Sequence, residues 1–170
     1  TINSVKYNWE GAISKPSDYK LQADFHDISF SSASPDYPSL SHVSGDVSIG
    51  KKHGSLNLIL QNSVFLYDKL FLIPYEFKSL SSKIDWNLTP QNQLNISMHK
   101  TDLETKDFKA TMDGSYHNDP LNPSSSGYLA MNAHVDRVKT SKVGDYLPKS
   151  IPMSVHEWLN MGLAGGDGAN

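Results

Sequence analysis

The stretch that decides the fold is residues 80–116, LSSKIDWNLTPQNQLNISMHKTDLETKDFKATMDGSY. Three runs within it place apolar residues at alternate positions, with polar residues between them. The alternating apolar residues are Leu80, Ile84, Trp86 and Leu88, then Leu94, Ile96 and Met98, then Phe108, Ala110, Met112 and Tyr116. A period of two is typical of strands that have one apolar face and one solvated face. Because the connections are short, these strands are predicted to pair antiparallel as a meander.

The same alternation continues on both sides of this stretch. Upstream, strands are predicted around residues 5–9, 19–30, 43–49 and 56–60, and downstream a last strand is predicted over residues 127–138. Gly and Pro clusters separate these runs, as expected for turns and surface loops. The strands together are predicted to cover about residues 2–138.

Three local signals refine this outline. Lys15–Asp18 has the composition of a turn. The apolar phase slips at His26–Asp27, which predicts a β-bulge. Residues 64–77 contain more apolar side chains than the other runs and allow two structural interpretations. One is a short strand, a turn near Asp68–Lys69 and an extended segment through Pro74, and the other is a hydrophobic plug.

The period-two alternation of apolar residues ends after residue 138, and the pattern that follows predicts one short helix. Ser154 and Glu157 have the spacing of a capping box, in which each side chain binds the other residue's backbone amide. Apolar residues fall on one helical face, and glycines at 162, 165 and 166 are predicted to end the helix. The apolar stripe consists of Val155, Trp158, Leu159 and Leu163.

The predicted fold class is therefore all-β: an antiparallel meander of about eight or nine strands with one short C-terminal helix. A helix of about ten residues cannot cover so wide a sheet, because neighbouring strands lie about 4.8 Å apart. Either the sheet packs against itself as a sandwich or barrel, or something else covers the apolar face. A bare apolar face of this size is unusual in a soluble protein.

Composition narrows the class of protein. The 170 residues carry a net charge of −3, with 38% apolar and 19% charged residues. The absence of a basic cluster argues against nucleic-acid binding, and the absence of cysteine excludes disulfides, thiolate ligands and a cysteine nucleophile. We expect a single β-rich segment over residues 1–170, excised from a longer repeat protein.

The sequence contains no convincing catalytic or metal motif. The seven histidines lack the spacing of a metal site, and no Gly-x-Ser-x-Gly element is present. Asp102, Glu104 and Asp107 alternate with lysines, which favours a solvated edge of mixed charge over a catalytic cluster. We therefore expect no enzyme activity, metal or cofactor, although a hydrolase with a non-local triad stays an alternative. The three tryptophans, Trp9, Trp86 and Trp158, fit strand or helix core better than a sugar-binding platform.

One segment resembles a known family. Residues 146–152, YLPKSIP, are followed by Val155, Trp158-Leu159 and Gly165-Gly166. This order resembles the YLP…P…WL…GG signature of the YhdP proteins, which are large AsmA-like proteins of Gram-negative envelopes. The order of Gly, Pro and Trp positions upstream is similar too, so the resemblance covers about residues 5–168. The motif with its helix spans about residues 144–166.

The resemblance implies a long β-sheet folded lengthwise into a groove. Such proteins are anchored in the inner membrane, reach through the periplasm and are linked to phospholipid movement towards the outer membrane. The related TamB branch is linked to outer-membrane protein assembly. The resemblance thus implies a periplasmic segment that carries acyl chains, contacts adjoining segments of its parent chain, and reaches membranes through other parts of that chain. A protein-interaction module that uses strand edges, or a self-closed sandwich serving as a spacer, are the alternatives.

The residues predicted to bind lipid are the in-phase apolar residues of the central and later strands. They are Leu56, Leu58, Leu60, Ile84, Trp86, Leu88, Leu94, Ile96, Met98, Phe108, Met112, Leu129 and Met131.

Overall fold

The computed structural model describes residues 1–122, 124–125, 127–162 and 167–169, with few side chains described beyond Glu157. All strands belong to one antiparallel sheet whose spatial order follows the sequence from β1 to β9. The strands are β1 Ile2–Ala12, β2 Lys15–Phe30, β3 Ser39–Gly50, β4 His53–Leu66, β5 Tyr75–Leu88, β6 Leu94–Thr105, β7 Phe108–His117, β8 Tyr128–Lys139 and β9 Asp167–Ala169. The predicted meander is confirmed.

A series of bulges bends the strands and curves the sheet into a groove. Asp27, His42 and Asn62 have positive φ angles of 50°, 54° and 49°, on β2, β3 and β4 respectively. His42 donates a hydrogen bond of 2.7 Å to the Asp27 carboxylate, which lowers the pKa of Asp27. The hydroxyl of Ser63 donates to the His42 carbonyl oxygen, so the irregular positions of the three strands are neighbours. Lys100 has a positive φ of 39° on β6. Because a bulge bends its strand and increases twist, neighbouring bulges bend the whole sheet.

The sheet does not close on itself. In the described parts of the chain, β1 pairs only with β2, and the strand that follows β8 in the sheet is the three-residue β9. Only four apolar side chains are buried among those described, namely Val43, Leu60, Leu103 and Ala110. The chain exposes 11308 Å², whereas a compact protein of 18.8 kDa exposes about 8,300 Å². The architecture is thus an open groove, since a self-packed sandwich would bury a much larger core.

The chain turns back across the sheet after β8. A 3-10 helix, Thr140–Tyr146, leads through Leu147 to Ile151 into helix α1, Met153–Gly162. We call residues 140–151 the strap, because they reach from the end of β8 to the loop between β4 and β5. Helix α1 packs chiefly beside the 3-10 helix, and Trp158 is 66% exposed. The helix therefore leaves the apolar face of the sheet uncovered.

Two local predictions at the N-terminal hairpin are wrong. The turn lies at Ile13–Ser14, and Lys15 already begins β2. The first strand, predicted around residues 5–9, extends to Ala12, and Gly11 lies within it at a register shift opposite Pro16, with φ +88°. Proline is tolerated at strand starts and bulges, where its missing N–H does not interrupt the ladder. The bulge therefore accommodates Pro16 inside the strand.

The capping-box prediction is also wrong. Helix α1 begins at Met153, so Ser154 lies in the first helical turn and not at the N-cap position. The amide of Val155 donates to the carbonyl oxygen of Pro152 at 2.9 Å, which places the helix start two residues earlier than the Ser154 pattern implied. The described part of the helix extends to Gly162. Leu163, Gly165 and Gly166 lie outside the described residues.

The C-terminal and mid-chain predictions need smaller corrections. The strand predicted as the last one, β8, is followed by β9, which pairs with Arg137–Lys139. Within residues 64–77, the structure follows the strand-turn-strand interpretation: β4 ends at Leu66, and β5 begins at Tyr75 after Pro74. Phe71 forms an isolated bridge with Pro148, so this loop holds the strap.

Candidate functional site

The apolar side chains form rows that cross eight strands. In antiparallel sheets, residues directly opposite each other share a face. One row consists of Tyr7, Leu21, Ile49, Gly54, Trp86, Ile96, Tyr116 and Leu129. Its neighbour consists of Val5, Ala23, Val47, Leu56, Ile84, Met98, Gly114 and Met131. Seven strand spacings of about 4.8 Å make each row about 34 Å long.

A polar row lies between these two in sequence and on the opposite face. It consists of Lys6, Gln22, Ser48, Ser55, Asp85, Ser97, Ser115 and Ala130. Seven of its eight members are polar, whereas both neighbouring rows contain only apolar, aromatic or glycine residues, Tyr7 and Tyr116 included. The two faces of the sheet therefore differ sharply in their affinity for water.

The predicted lipid-binding residues are brought together on the apolar face, but to different depths. Most of the thirteen are half-buried. Leu60 is only 2% exposed, so it offers little surface to a ligand, whereas Leu129 is 69% exposed and Met131 is 53% exposed. Exposure thus increases towards β8, where no full-length strand follows in the described chain. Phe108 contacts the strap through the ring of Tyr146.

Trp86 fills the space left by a glycine in its own row. A Cβ atom on Gly54 would lie 2.1 Å from the indole carbon Cζ2 of Trp86 and 2.7 Å from the Ser48 carbonyl oxygen. The indole therefore packs directly over Gly54 of β4. This position fits a structural role better than a raised platform. Trp9 and Trp158 are more exposed, at 46% and 66%.

Sequence reasoning left the first three strands out of the candidate set. Tyr7, Leu21 and Ile49 continue the row of Trp86 and Ile96 without a break. The same period-two signal was present in these strands. The bulges at Asp27 and His42 shift its phase, so residue-to-residue register was needed to place these residues on the same face.

The strap lies against one margin of the apolar face. The ring of Tyr146 contacts Phe108 at 4.8 Å and Tyr75 at 5.2 Å between centroids, which places it against β7 and β5. The hydroxyl of Tyr75 donates a hydrogen bond to the carbonyl oxygen of Tyr146. Beyond it, the amide of Lys149 donates to the Leu70 carbonyl oxygen at 2.7 Å. The strap is thus fixed to two distant parts of the sheet.

A buried carboxylate anchors the other end of the strap. Asp107 lies in the turn between β6 and β7, is 5% exposed, and accepts a hydrogen bond of 2.8 Å from the Tyr146 hydroxyl. Lys139 lies 3.2 Å from the same carboxylate. The prediction of a solvated edge is therefore wrong for Asp107, because the returning strap covers it.

The protonation states of this anchor follow from its partners. Burial raises the pKa of Asp107, but hydrogen bonds from Tyr146 and Lys139 and the nearby positive charges outweigh burial and lower it. Burial raises the pKa of Tyr146 to about 12, with a contribution from Asp107. At neutral pH the tyrosine hydroxyl is therefore a donor and the carboxylate is ionised.

This anchor predicts a pH dependence of stability. The folded pKa of Asp107 lies below the unfolded value of about 3.9, so its contribution is fully present above about pH 4 and is lost as the pH falls through the folded pKa. Urea unfolding between about pH 5 and about pH 3 should therefore show a steeper loss of unfolding free energy in the native protein than in Asp107→Asn. Parallel pH profiles would contradict the assignment.

The described residues contain no cluster of side chains suited to hold a metal ion, since no three His, Asp or Glu side chains among them are grouped closely enough. No helix in the described parts is long and apolar enough to cross a membrane. The most extensive surface of uniform chemistry in the described structure is the apolar face of the sheet.

An open, curved antiparallel sheet with an apolar inner face and a polar outer face defines a β-groove protein. The chain matches the family of YhdP proteins over residues 1–170, and it belongs to that family. No curated protein and no solved structure matched the chain.

Proposed function

We propose that this chain is a non-enzymatic, lipid-conducting segment of an envelope protein that moves phospholipid between membranes and supports the outer-membrane permeability barrier. The observation that carries the proposal is the uncovered apolar face. Its two central rows cross eight strands, and its members reach 69% exposure at Leu129. An apolar surface of this extent marks a binding site in a soluble protein.

An acyl chain is the ligand whose chemistry fits this face. Each methylene removed from water contributes about 0.8 kcal/mol, and no polar partner is required. The rows repeat similar apolar contacts at every strand, about 4.8 Å apart. A hydrocarbon chain can therefore shift from one strand to the next while its contacts remain similar. Such a surface holds a lipid without fixing its position, which is what conduction requires.

Family membership supports the cellular setting of the proposal. The resemblance to AsmA-like envelope proteins implies a periplasmic location within a chain anchored in the inner membrane. Adjoining segments of the same parent chain would extend the groove, and the membranes would be reached through those segments. Phospholipid acyl chains are the proposed cargo. The role needs no covalent chemistry, cofactor or nucleic-acid partner.

A second candidate is a protein-interaction or assembly module. The observation in its favour is that, in the described chain, the outer edge of β1 has no neighbouring strand, and β9 covers only Arg137–Lys139 of β8. Unpaired strand edges bind extended peptides through backbone hydrogen bonds. This alternative uses the edges of the sheet, whereas lipid uses its face, so one experiment can separate them.

Native mass spectrometry of protein purified without detergent tests the proposal. We expect mass adducts that correspond to phospholipid and that disappear after extraction with organic solvent. Adduct-free protein that captures a polypeptide partner through its strand edges would contradict the lipid proposal and favour the second candidate.

Cysteine labelling provides a prediction with a matched control. The chain lacks cysteine, so single substitutions report one site each. Leu129→Cys on the apolar face should react slowly with a polar maleimide in protein loaded with phospholipid, and quickly after delipidation, because bound acyl chains exclude the reagent. Its neighbour Ala130, also exposed, lies on the opposite face. Ala130→Cys should therefore react equally fast in both states. Equal acceleration at both positions would indicate unfolding and not lipid release.

A further inference from the structure

A cavity of about 310 Å³ lies between the strap and the ends of β7 and β8. The strands contribute apolar walls on one side, and the strap contributes apolar walls on the other. The apolar lining residues are Phe108, Val135, Val138, Val143, Tyr146 and Leu147. The returning strap therefore creates a pocket that the sheet alone would not have.

The charged groups beside this cavity are already paired. Lys139 lies 3.2 Å from the Asp107 carboxylate, and Lys142 lies 3.1 Å from that of Asp145. Among the described residues, no buried side-chain nitrogen or oxygen lacks a hydrogen-bond partner. A polar ligand would lose its hydration here without gaining a partner, which is unfavourable. The chemistry of the cavity therefore selects hydrocarbon.

The size of the cavity limits what can enter it. Its 310 Å³ is about twice the ~150 Å³ of an apolar cavity that binds benzene, so it has room for about a dozen carbon atoms. This is too small for a whole phospholipid and suitable for the end of one acyl chain. Pockets for small molecules begin at about 300 Å³.

The cavity is continuous with the apolar face. Val135 lies opposite Ala110 in register, in phase with Met131 on β8, and it is 48% exposed. Phe108 lies opposite Val138 and contacts the strap through Tyr146. A hydrocarbon chain on the open face can therefore pass Val135 and enter the space beneath the strap.

We propose that this cavity is a binding pocket for the terminal hydrocarbon of a single acyl chain whose remaining length lies on the open apolar face. The inference rests on the proposed function, because it assigns a fixed subsite to the ligand class proposed there. The pocket beneath the strap is then the position on the apolar face where a bound acyl chain stays longest. Chains that fill the pocket should be held longer than chains too short to reach it.

Photocrosslinking with two lignoceric acid probes tests this pocket, because a pocket for about a dozen carbon atoms leaves about half of that acyl chain on the open face. One probe carries a diazirine at the terminal carbon and the other at mid-chain, and labelled peptides are mapped after irradiation of the full chain. We expect the terminal probe to label residues 135–147 and the mid-chain probe to label the strands next to the pocket on the open face, β6 and β7. Labelling of the open face alone by both probes would overturn the pocket and leave the proposed function standing. Absence of labelling by either probe would overturn both.

Filling the pocket provides the matched variants. Val138→Trp should reduce terminal-probe labelling of residues 135–147 about tenfold, since burying two fewer methylenes costs about that factor in affinity. Mid-chain labelling should be unchanged. Val143→Trp, which fills the pocket from the strap, should act in the same way if Val138→Trp does not fold. His134→Trp on β8 is the control, because His134 does not line this cavity. Unreduced terminal labelling in the folded filling variants would contradict the pocket.

Discussion

Replacing Gly45 by valine should destabilise the protein by roughly 3–5 kcal/mol, as expected when backbone strain and overpacking act at one position. Gly45 has a φ of +153°, which L-residues rarely adopt. A Cβ atom there would lie 1.9 Å from the carbonyl oxygen of Asn57 and 3.2 Å from the ring of Phe25. Because the nearest atom belongs to the backbone of β4, no side-chain rotation can relieve the overlap.

Urea unfolding followed by tryptophan fluorescence measures this effect. Gly50→Ala is the control, since its Cβ would approach His53 no closer than 3.3 Å, and Gly50 does not have a positive φ. We expect a loss of less than about 1 kcal/mol in the control, as is usual for a substitution without strain. A Gly45→Val protein with an unchanged midpoint would show that β3 and β4 do not approach as closely as described.

The alternation of apolar residues was sufficient to predict most of the sheet. The runs around Ile84, Ile96 and Met112 lie in β5, β6 and β7, paired in sequence order. The phase slip at His26–Asp27 coincides with a register shift between Phe25 and Ile28. These features depend on local sequence, because the side chains of a strand alternate between faces whatever the rest of the chain does.

The sequence patterns could not predict the contacts between residues far apart in the chain. Tyr146 donates to Asp107 across 39 residues of sequence, and Lys149 reaches the loop near Asp68 across 81 residues. The local sequence around Asp107 therefore predicts a solvated carboxylate, whereas the strap covers it in the structure. The Ser154 pattern failed for a different reason, since a spacing of three residues also occurs inside a helix.

The alternation of apolar residues also could not predict whether the candidate site is an open groove or a closed core. Period-two runs predict an apolar face, but a closed sandwich and an open groove produce the same pattern. Exposure distinguishes the two architectures. Ile84 and Ile96 remain only half-buried in the middle of the sheet, and Leu129 and Met131 are mostly exposed at its margin. The strap consists of residues 140–151, where no periodic signal marks a binding surface.

Placing a charge in the centre of the apolar face tests the central claim most directly. Ile96 lies between Trp86 and Tyr116 in one of the two apolar rows, and Ser97 lies next to it on the polar face. In an open groove, the long side chain of Ile96→Lys can extend its ammonium group into solvent. In a closed core, the same charge would be buried without a partner, at a cost of several kcal/mol.

The measurement is phospholipid content by native mass spectrometry, together with thermal unfolding, for Ile96→Lys and its control Ser97→Lys. We predict that both variants fold and that Ile96→Lys alone loses bound phospholipid. An Ile96→Lys protein that is unfolded while Ser97→Lys is intact, or one that folds and retains its phospholipid, would contradict the account.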